Sequence, residues 1–583
     1  MLMLVACQGD PTQRSSQAPN TYDPAADPAV NPPSLFETLS DENRHRADTE
    51  ATLVRYALDL PTSMNAMFNR AWADGYLHEL LFDPLVHRNA DMQAVWNENL
   101  VKSVEELEGG LVHRVHLYPF LKWHDGVPFT SHDVRFSYLM AKDPGVPALD
   151  AKHKVEEIDD IRVIDDHTFE VVHQRLSAVR LDNLYFWTVP KHLLDNPEER
   201  AKDPTMMTSE FFNRFKREVG VGNGPYRFVE WIPGDRVVVE RWEDYPFQKP
   251  PIKRQVITSQ PDRNTALLQF RQGHLDDIWF TVQQHGSQTN DAEFLDIGVK
   301  AWKPRWMQAY VGWDQSGKTP FFTDRRVRQA MAHAYDRETV LRTVTWNLYR
   351  PSNGMFGPTH WCHNPEVVPL EYDLEKAAAL LDEAGWVTDP DDGWRYKDID
   401  GQRVQFHFVL NLPQSFVDAR RFADIFRADL RRIGVSFDTE IHENAIRTKK
   451  MTEHEYTAHV DTYQVFADPD IWRNFLHTYA IDNGRNYDSY SSPKVDELFD
   501  VSQMELDRAK RAEHFREIHR LVYDDQPVLW MWNYTTTWGF SKRVRGVQTS
   551  PSGVTNFLPG TRAWWIEKPG APTPAPTATG SGD

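Results

Sequence analysis

Residues 403–441, RVQFHFVLNLPQSFVDARRFADIFRADLRRIGVSFDTEI, decide the fold class. From Arg403 to Leu410, the residues Val404, Phe406, Phe408 and Leu410 fall on one side of an extended chain, the period-two signature of a strand with one buried face. From Ala419 to Ile433 the period changes. Phe422, Ile425, Phe426 and Ile433 line one stripe of a helix, and Gly434 stands where a left-handed cap ends it. Val435, Phe437 and Ile441 then alternate again. Strand, helix and strand make a βαβ unit, which predicts two parallel strands joined by a right-handed crossover.

Working outward, three more helices carry the same signals. Asp373 caps one whose apolar stripe is Ala377, Leu380, Leu381 and Ala384, stopped at Gly385; a second starts at Asp324 (Val327, Met331, Ala334) and a third at Arg508 (Ala512, Phe515, Ile518, Val522). The first half of the chain reads differently. Val112 to Tyr118 alternates, Ile161 and Val163 face Phe169 and Val171 across a turn at Asp165 to His167, and Tyr226 to Trp231 faces Arg236 to Arg241 across Pro233-Gly234-Asp235. These are hairpins, hence antiparallel ribbons. A hairpin-rich part and a βαβ-rich part, with no fixed-period repeat, predict an α/β protein of two lobes.

Composition narrows the function. The 583 residues hold 65 Lys plus Arg against 85 Asp plus Glu, a net charge of −20, so nucleic acid and anionic membrane surfaces are poor partners. At 26% charged and 40% hydrophobic residues the chain is an ordinary globular one, and it contains no apolar run of about 18 residues that would span a bilayer. Two cysteines, Cys7 and Cys362, make no disulfide framework. The 20 Trp, 20 Tyr and 31 Phe fit both cores and ligand clefts, so their number does not choose between them.

At the N-terminus, Leu4-Val5-Ala6-Cys7 has the pattern of a bacterial lipoprotein box, and the residues after it carry Pro11, Pro19, Pro24, Pro28, Pro32 and Pro33. The expectation is a lipidated Cys7 followed by an extended tether over 8–50; the competing reading is an accidental cysteine. The missing basic segment and shortened apolar segment predict a translation start upstream of Met1. Residues 568–583 read as a low-complexity tail.

Of the chemical motifs, Gly220-Val221-Gly222-Asn223-Gly224-Pro225 precedes a strand and not a helix, so it reads as a tight turn between lobes rather than a phosphate cradle. His442-Glu443 lacks a second histidine one turn on, and His360, Cys362 and His363 lack a fourth ligand. Asp389, Asp391, Asp392 and Gly393, with Asp398, Asp400 and Gly401, read as hairpin turns and not calcium loops. No metal and no cofactor is called for. The segment Tyr463 to Asp470 sets Asp468 and Asp470 among Phe466, Trp472 and Phe475, where a carboxylate needs a cationic partner. Arg473 of the chain itself or a ligand ammonium could serve.

Taken in order, six blocks resemble the extracytoplasmic solute-binding proteins of peptide-type ABC importers, the dipeptide and oligopeptide-binding family, solute-binding family 5. They are FLKWHDGVPFTSHDVRFSY (120–138), VPKHLL (189–194), GNGPYRFVEWIPGDRVVVERWEDY (222–245), PFFTDRRVRQAMAHAYDRE (320–338), YDLEKAAALLDEAGW (372–386) and NYDSYSSPKVDELF (486–499), within a match from about residue 52 to 545. The resemblance implies a periplasmic-binding-protein-like clamshell of the class II type. Lobe 1 would comprise 51–310 and 535–567 with a hairpin-rich subdomain inserted at about 82–190, and lobe 2 would comprise 311–534. It implies a non-catalytic, monomeric receptor outside the cytoplasm, held by its lipid anchor, that binds a peptide between the lobes and hands it to an inner-membrane ABC permease. In relatives an aspartate of the second lobe pairs with the peptide amino terminus, and Asp468 aligns with it; such a contact is worth roughly 1.5–3 kcal/mol. The further cleft candidates are Met64, Asn65, Trp187, Asn223, Trp361, Tyr463 and Trp472. The aromatic load also suits an oligosaccharide ligand, and the many carboxylates leave a hydrolase as the remaining alternative.

Overall fold

The computed structural model describes residues 22–68, 72–143, 154–195, 220–414, 416–465 and 467–570, together with residues 146 and 152. The βαβ unit forms as its periodicity predicts: His407–Pro413 and Ser436–His442 pair in parallel, helix Val417–Arg432 joins them, and Gly434 takes φ +75°. The front of the unit differs. Residues 403–410 are not one strand; Gln402–Gln405 pairs with Arg395–Ile399 in a small antiparallel sheet, and the buried strand begins at His407.

That buried strand belongs to a six-stranded sheet in the order Arg350–Pro351, Val528–Thr535, Pro304–Trp313, Ala458–Gln464, His407–Pro413, Ser436–His442. The central strands are buried almost continuously, so side chains that alternate along them meet apolar packing on both faces. On one, Val311, Trp313 and Phe408 pack with Val327, Met331, Phe422 and Phe426; on the other, Trp306, Tyr310 and Trp530 pack with Phe515, Ile518 and Val522. Side-chain caps hold three of these helices: Asp324 accepts from Arg326 N and Asp373 from Lys376 N, as expected, and Asp507, not anticipated from the sequence, accepts from Ala509 N.

The other half is built from smaller sheets. Thr52–Ala57, Arg254–Ser259, Arg236–Arg241 and Tyr226–Ile232 make one, and Asp277–Trp279, Trp538–Ser541 and Gly298–Ala301 a second. The inserted antiparallel sheet is Val101–Leu107, Val112–Leu117, Thr168–His173, Ile158–Asp165. The expected hairpins are all present, with the Asp165 side chain accepting from His167 N at 2.8 Å in one turn and Gly234 at φ +79° in another. Not every ribbon here is antiparallel, since Thr52–Ala57 pairs in parallel with Arg254–Ser259. One core runs through this half and its insert, joining Leu53, Leu77 and Leu80 to Val115, Ile161 and Phe169.

The halves are the two lobes of an α/β clamshell, and the chain crosses between them twice. Gly298–Ala301 leads through residues 302–303 into Pro304–Trp313, and Val528–Thr535 leads through 536–537 back into Trp538–Ser541. The crossings lie side by side, with Thr536 N donating to Lys303 O at 2.7 Å. Two adjacent extended crossings make a hinge, because only a few dihedrals need change for the lobes to rotate.

Two expectations are corrected. Residues 22–50, read as part of a tether, pack on the body: Leu35 is fully buried, and Arg46 pairs with Glu37 and Glu567. Prolines break helix interiors, and this segment makes only short helical turns at Pro33–Phe36 and Arg44–Arg46, but they do not prevent docking where buried partners wait far along the chain. The Gly220–Pro225 turn is not between lobes; it lies against the end of helix Trp72–Leu81 in the first. A Cβ at Gly222 would stand 1.9 Å from Leu81 O, and Gly224 N donates to that same oxygen at 2.8 Å, so these glycines allow backbone to approach backbone. Cys7, the rest of 1–21 and residues 571–583 lie outside the described residues.

Candidate ligand-binding cleft

Three stations where the lobes meet bear on the cleft. At one, Gln503 of the second lobe accepts from Ala178 N through its main-chain oxygen (3.1 Å) and from Arg175 through Oε1 (2.8 Å), while its Nε2 donates to Asp470 (3.2 Å). Next come two facing ion pairs. Arg88 and Asp182 of the first lobe stand 3.2 Å apart, and Arg511 holds Asp468 of the second through two hydrogen bonds of 2.5 and 2.8 Å. Burial raises the Asp182 carboxyl above its ordinary value, with Arg88 opposing and Asp468 reinforcing the shift, which places the pairs within electrostatic reach of each other. Nearest the hinge, the buried Arg305 guanidinium donates to Gln464 Oε1 at 3.1 Å, its acidity increased by burial, with Tyr349, Tyr534 and Tyr76 of the opposite lobe around it.

The sequence candidates distribute unevenly over this geometry. Asp468 has a partner inside the chain, and it is not the Arg473 considered from the sequence: Arg511 takes both carboxylate oxygens, whereas Arg473 pairs with Asp500. Asp468 also caps the short helix Pro469–Trp472, accepting from Asp470 N at 2.9 Å. Trp472 is 3% exposed and Met64 4%, each inside a core cluster. Asn223 is tied to Asp83, its side chain accepting from Asp83 N at 2.9 Å and donating to Asp83 O at 3.2 Å.

Four candidates remain, three of them partly exposed. Tyr463 is half-buried and packs on Trp472 and Phe475, ring centroids 4.9 and 4.0 Å away. Trp361 donates to Ala467 O at 2.6 Å and lines a groove of about 660 Å³ between residues 358–366 and helix Arg508–Asp525; every residue of its wall is from the second lobe. Across the cleft, Trp187 and the loop carrying Met64 and Asn65 are brought together by His78, which lies 6.3 Å from the Trp187 ring and bonds Ser63 O at 2.9 Å. Asn65 is buried, and its Nδ2 finds no acceptor among the described residues.

Sequence reading missed Arg511, Gln503, Gln308 and Asn533. Arg511 was visible in principle: it shares a helical stripe with Phe515, Ile518 and Val522, where a charge is out of place unless it is paired. Gln308 and Asn533 face each other on paired strands close to the crossings, and the amide oxygen of each finds no donor among the described residues. Buried polar atoms of that kind are suited to a partner supplied from outside the fold.

A model of the bacterial extracellular solute-binding proteins, family 5 (middle), matches residues 96–485. The chain belongs to that family. Among its relatives, the oligopeptide-binding protein AppA of Bacillus subtilis is 25% identical over 532 residues, covering 88% of this chain and 92% of AppA. The heme-binding protein A of Haemophilus influenzae is 24% identical over 478 residues, covering 79% and 82%. The structure of B. subtilis AppA in complex with a nonapeptide superposes with a TM-score of 0.73 at 23% identity, covering 90% of this chain and all of that one. This is a family of solute-binding rather than catalytic proteins, located outside the cytoplasm, and no helix among the described residues is long and apolar enough to cross a membrane.

Proposed function

We propose that this family 5 member is a receptor that encloses a peptide between its lobes and passes it, unaltered, to an ABC permease in the membrane. The peptide reading rests on AppA, which matches nearly the whole chain. It is supported by the cleft itself. Asn65 on one wall and Gln308 and Asn533 on the other offer buried amide atoms of the kind that hold a peptide main chain, which leaves side chains free to vary. Tyr463, Trp187 and Trp361 are the aromatic surfaces we assign to ligand, whereas Asp468 and Asn223 are assigned to the framework.

The lobe boundaries proposed lie at the crossings, 302–303 and 536–537, a few residues from the 310/311 and 534/535 expected from sequence, with Cys7 as lipid anchor and the protein acting as a monomer. The observation that carries the function is the meeting of charged and amide groups from both lobes across a paired hinge. Closure is then a population shift in which ligand stabilises the closed form by the contacts it makes there. Screening a peptide panel by thermal shift, with mass spectrometry of the recovered peptides, tests it. A rise in melting temperature with intact peptides is expected. Cleaved peptide, or stabilisation by glycans and not by peptides, would refute it.

A further inference from the structure

The segment before the first strand runs along the hinge. Val30 bridges Lys300, with Asn31 N donating to Lys300 O and Lys300 N donating to Ala29 O, both at 2.7 Å, so the segment extends the edge of strand Gly298–Ala301. The Asn31 side chain then grips the crossing. Its Oδ1 accepts from Trp302 N at 2.9 Å and its Nδ2 donates to Trp302 O at 2.7 Å. Asn31 adopts φ +51°, a backbone conformation that asparagine tolerates and most residues resist.

Below this, Lys300 is fully buried. It is ion-paired to Asp27 and donates to Asn290 Oδ1 (2.7 Å), Thr289 Oγ1 and His285 O (3.2 Å each). Burial pulls its ammonium below the ordinary lysine value and Asp27 pushes it back, so the segment supplies the counter-charge for a lysine of the hinge strand.

The same segment reaches the second lobe. Tyr22 packs against the core cluster that joins the second lobe to Val282 of the first, and it shares the space over Gly286 of the first lobe with Trp346 of the second. Asp23 is close enough to Arg350 to act on its charge; that guanidinium sits 4.5 Å over the Trp302 ring, whose Nε1 donates to Leu348 O at 3.0 Å. Trp302 is thus held from the first-lobe side by Asn31 and from the second-lobe side by Arg350 and Leu348.

We propose that residues 22–31 form a strap across the hinge whose contacts with Trp302 and the second lobe stabilise the closed arrangement. This rests on the reading that the lobes close on a ligand, but not on the ligand being a peptide. Any change of lobe angle moves Leu348, Arg350 and Trp346 relative to a segment pinned at Lys300, so the strap keeps both sets of contacts only in the arrangement described here, in which groups of the two lobes meet across the cleft.

The test measures the inter-lobe distance distribution by spin-label spectroscopy in the full chain, with Cys7 replaced by Ser and one label on each lobe, at Arg162 and Glu497. Both positions are exposed, and Cys362 is buried. Asn31→Gly removes the grip while keeping the backbone conformation, Tyr22→Ala removes the second-lobe contact, and Asn31→Asp keeps the acceptor for Trp302 N. Without added ligand, the ratio of short to long distances is expected to fall about tenfold in the first two and less in the third, with the urea midpoint nearly unchanged. Unchanged distances, or a lowered urea midpoint with unchanged distances, overturn the strap. A shifted distribution in a protein that binds no peptide upholds the strap while refuting the peptide reading.

Discussion

Replacing Asp468 with Asn asks whether this carboxylate serves the fold or the ligand. Asn has the same shape and keeps an oxygen to cap the helix Pro469–Trp472, so the change removes charge and little else. Arg511 is 6% exposed and its guanidinium, despite burial, is held above its ordinary value by Asp468. Breaking a buried pair from one side costs about 3–5 kcal/mol because the surviving charge stays desolvated. Here Asp470, within electrostatic reach of Arg511, can ionise in compensation, which brings the expected loss to about 2–4 kcal/mol. For a unit the size of one lobe that lowers the ligand-free melting temperature by roughly 5–10 °C. Calorimetry on ligand-free protein, with Asp468→Asn/Arg511→Met alongside, reads it. The double variant, in which neither charge remains, is expected to recover most of the loss. If Asp468→Asn melts like the wild type and only ligand affinity falls, the carboxylate belongs to the ligand, and the assignment made from the Arg511 geometry is wrong.

Two further outcomes follow from other parts of the molecule. Asp470 is pushed up to about 7, first by burial and then by the neighbouring Asp468. An unfolded aspartate titrates near 3.9, so the folded protein holds the extra proton between these values; this contribution to stability is full below about pH 4 and is lost as pH rises to about 7. Wild-type stability should therefore decline relative to Asp470→Asn across that window in urea titrations, and parallel profiles would contradict the assignment. Gly222→Ala places a methyl 1.9 Å from Leu81 O, a clash with backbone that cannot turn aside, so the variant should be strongly destabilised or fail to fold, whereas Gly234→Ala, with open space around it, should lose only about 1 kcal/mol to strain. Circular dichroism melts compare the two, and an ordinary melt for Gly222→Ala would refute the close-approach explanation.

The parts legible without coordinates are those governed by local rules. Phe422, Ile425 and Phe426 announce a helix because three to four residues bring the chain once around, and Gly434 ends it because φ of +75° is open to glycine. Asp324 and Asp373 cap helices because a short carboxylate reaches the free N–H groups of the first turn. The hairpin at Asp165 and the βαβ unit are likewise short-range facts, and the order of six motif blocks places the chain in its family.

Aromatic candidates were harder to place, since Trp472 and Tyr463 have the same composition signal and only packing makes one a core residue and the other half-exposed. The partner of Asp468 lies 43 residues away on another helix, closer in space than the neighbouring Arg473 that sequence proximity suggested. The docking of residues 22–36 depends on Lys300 and Trp302, more than 260 residues downstream. Period, caps and turns arise from torsions within a few residues, so the amino-acid string specifies them directly. Ion pairs, hinge crossings and the walls of a cleft arise from which distant surfaces meet, and that is settled only when the two cores and the sheets between them have packed.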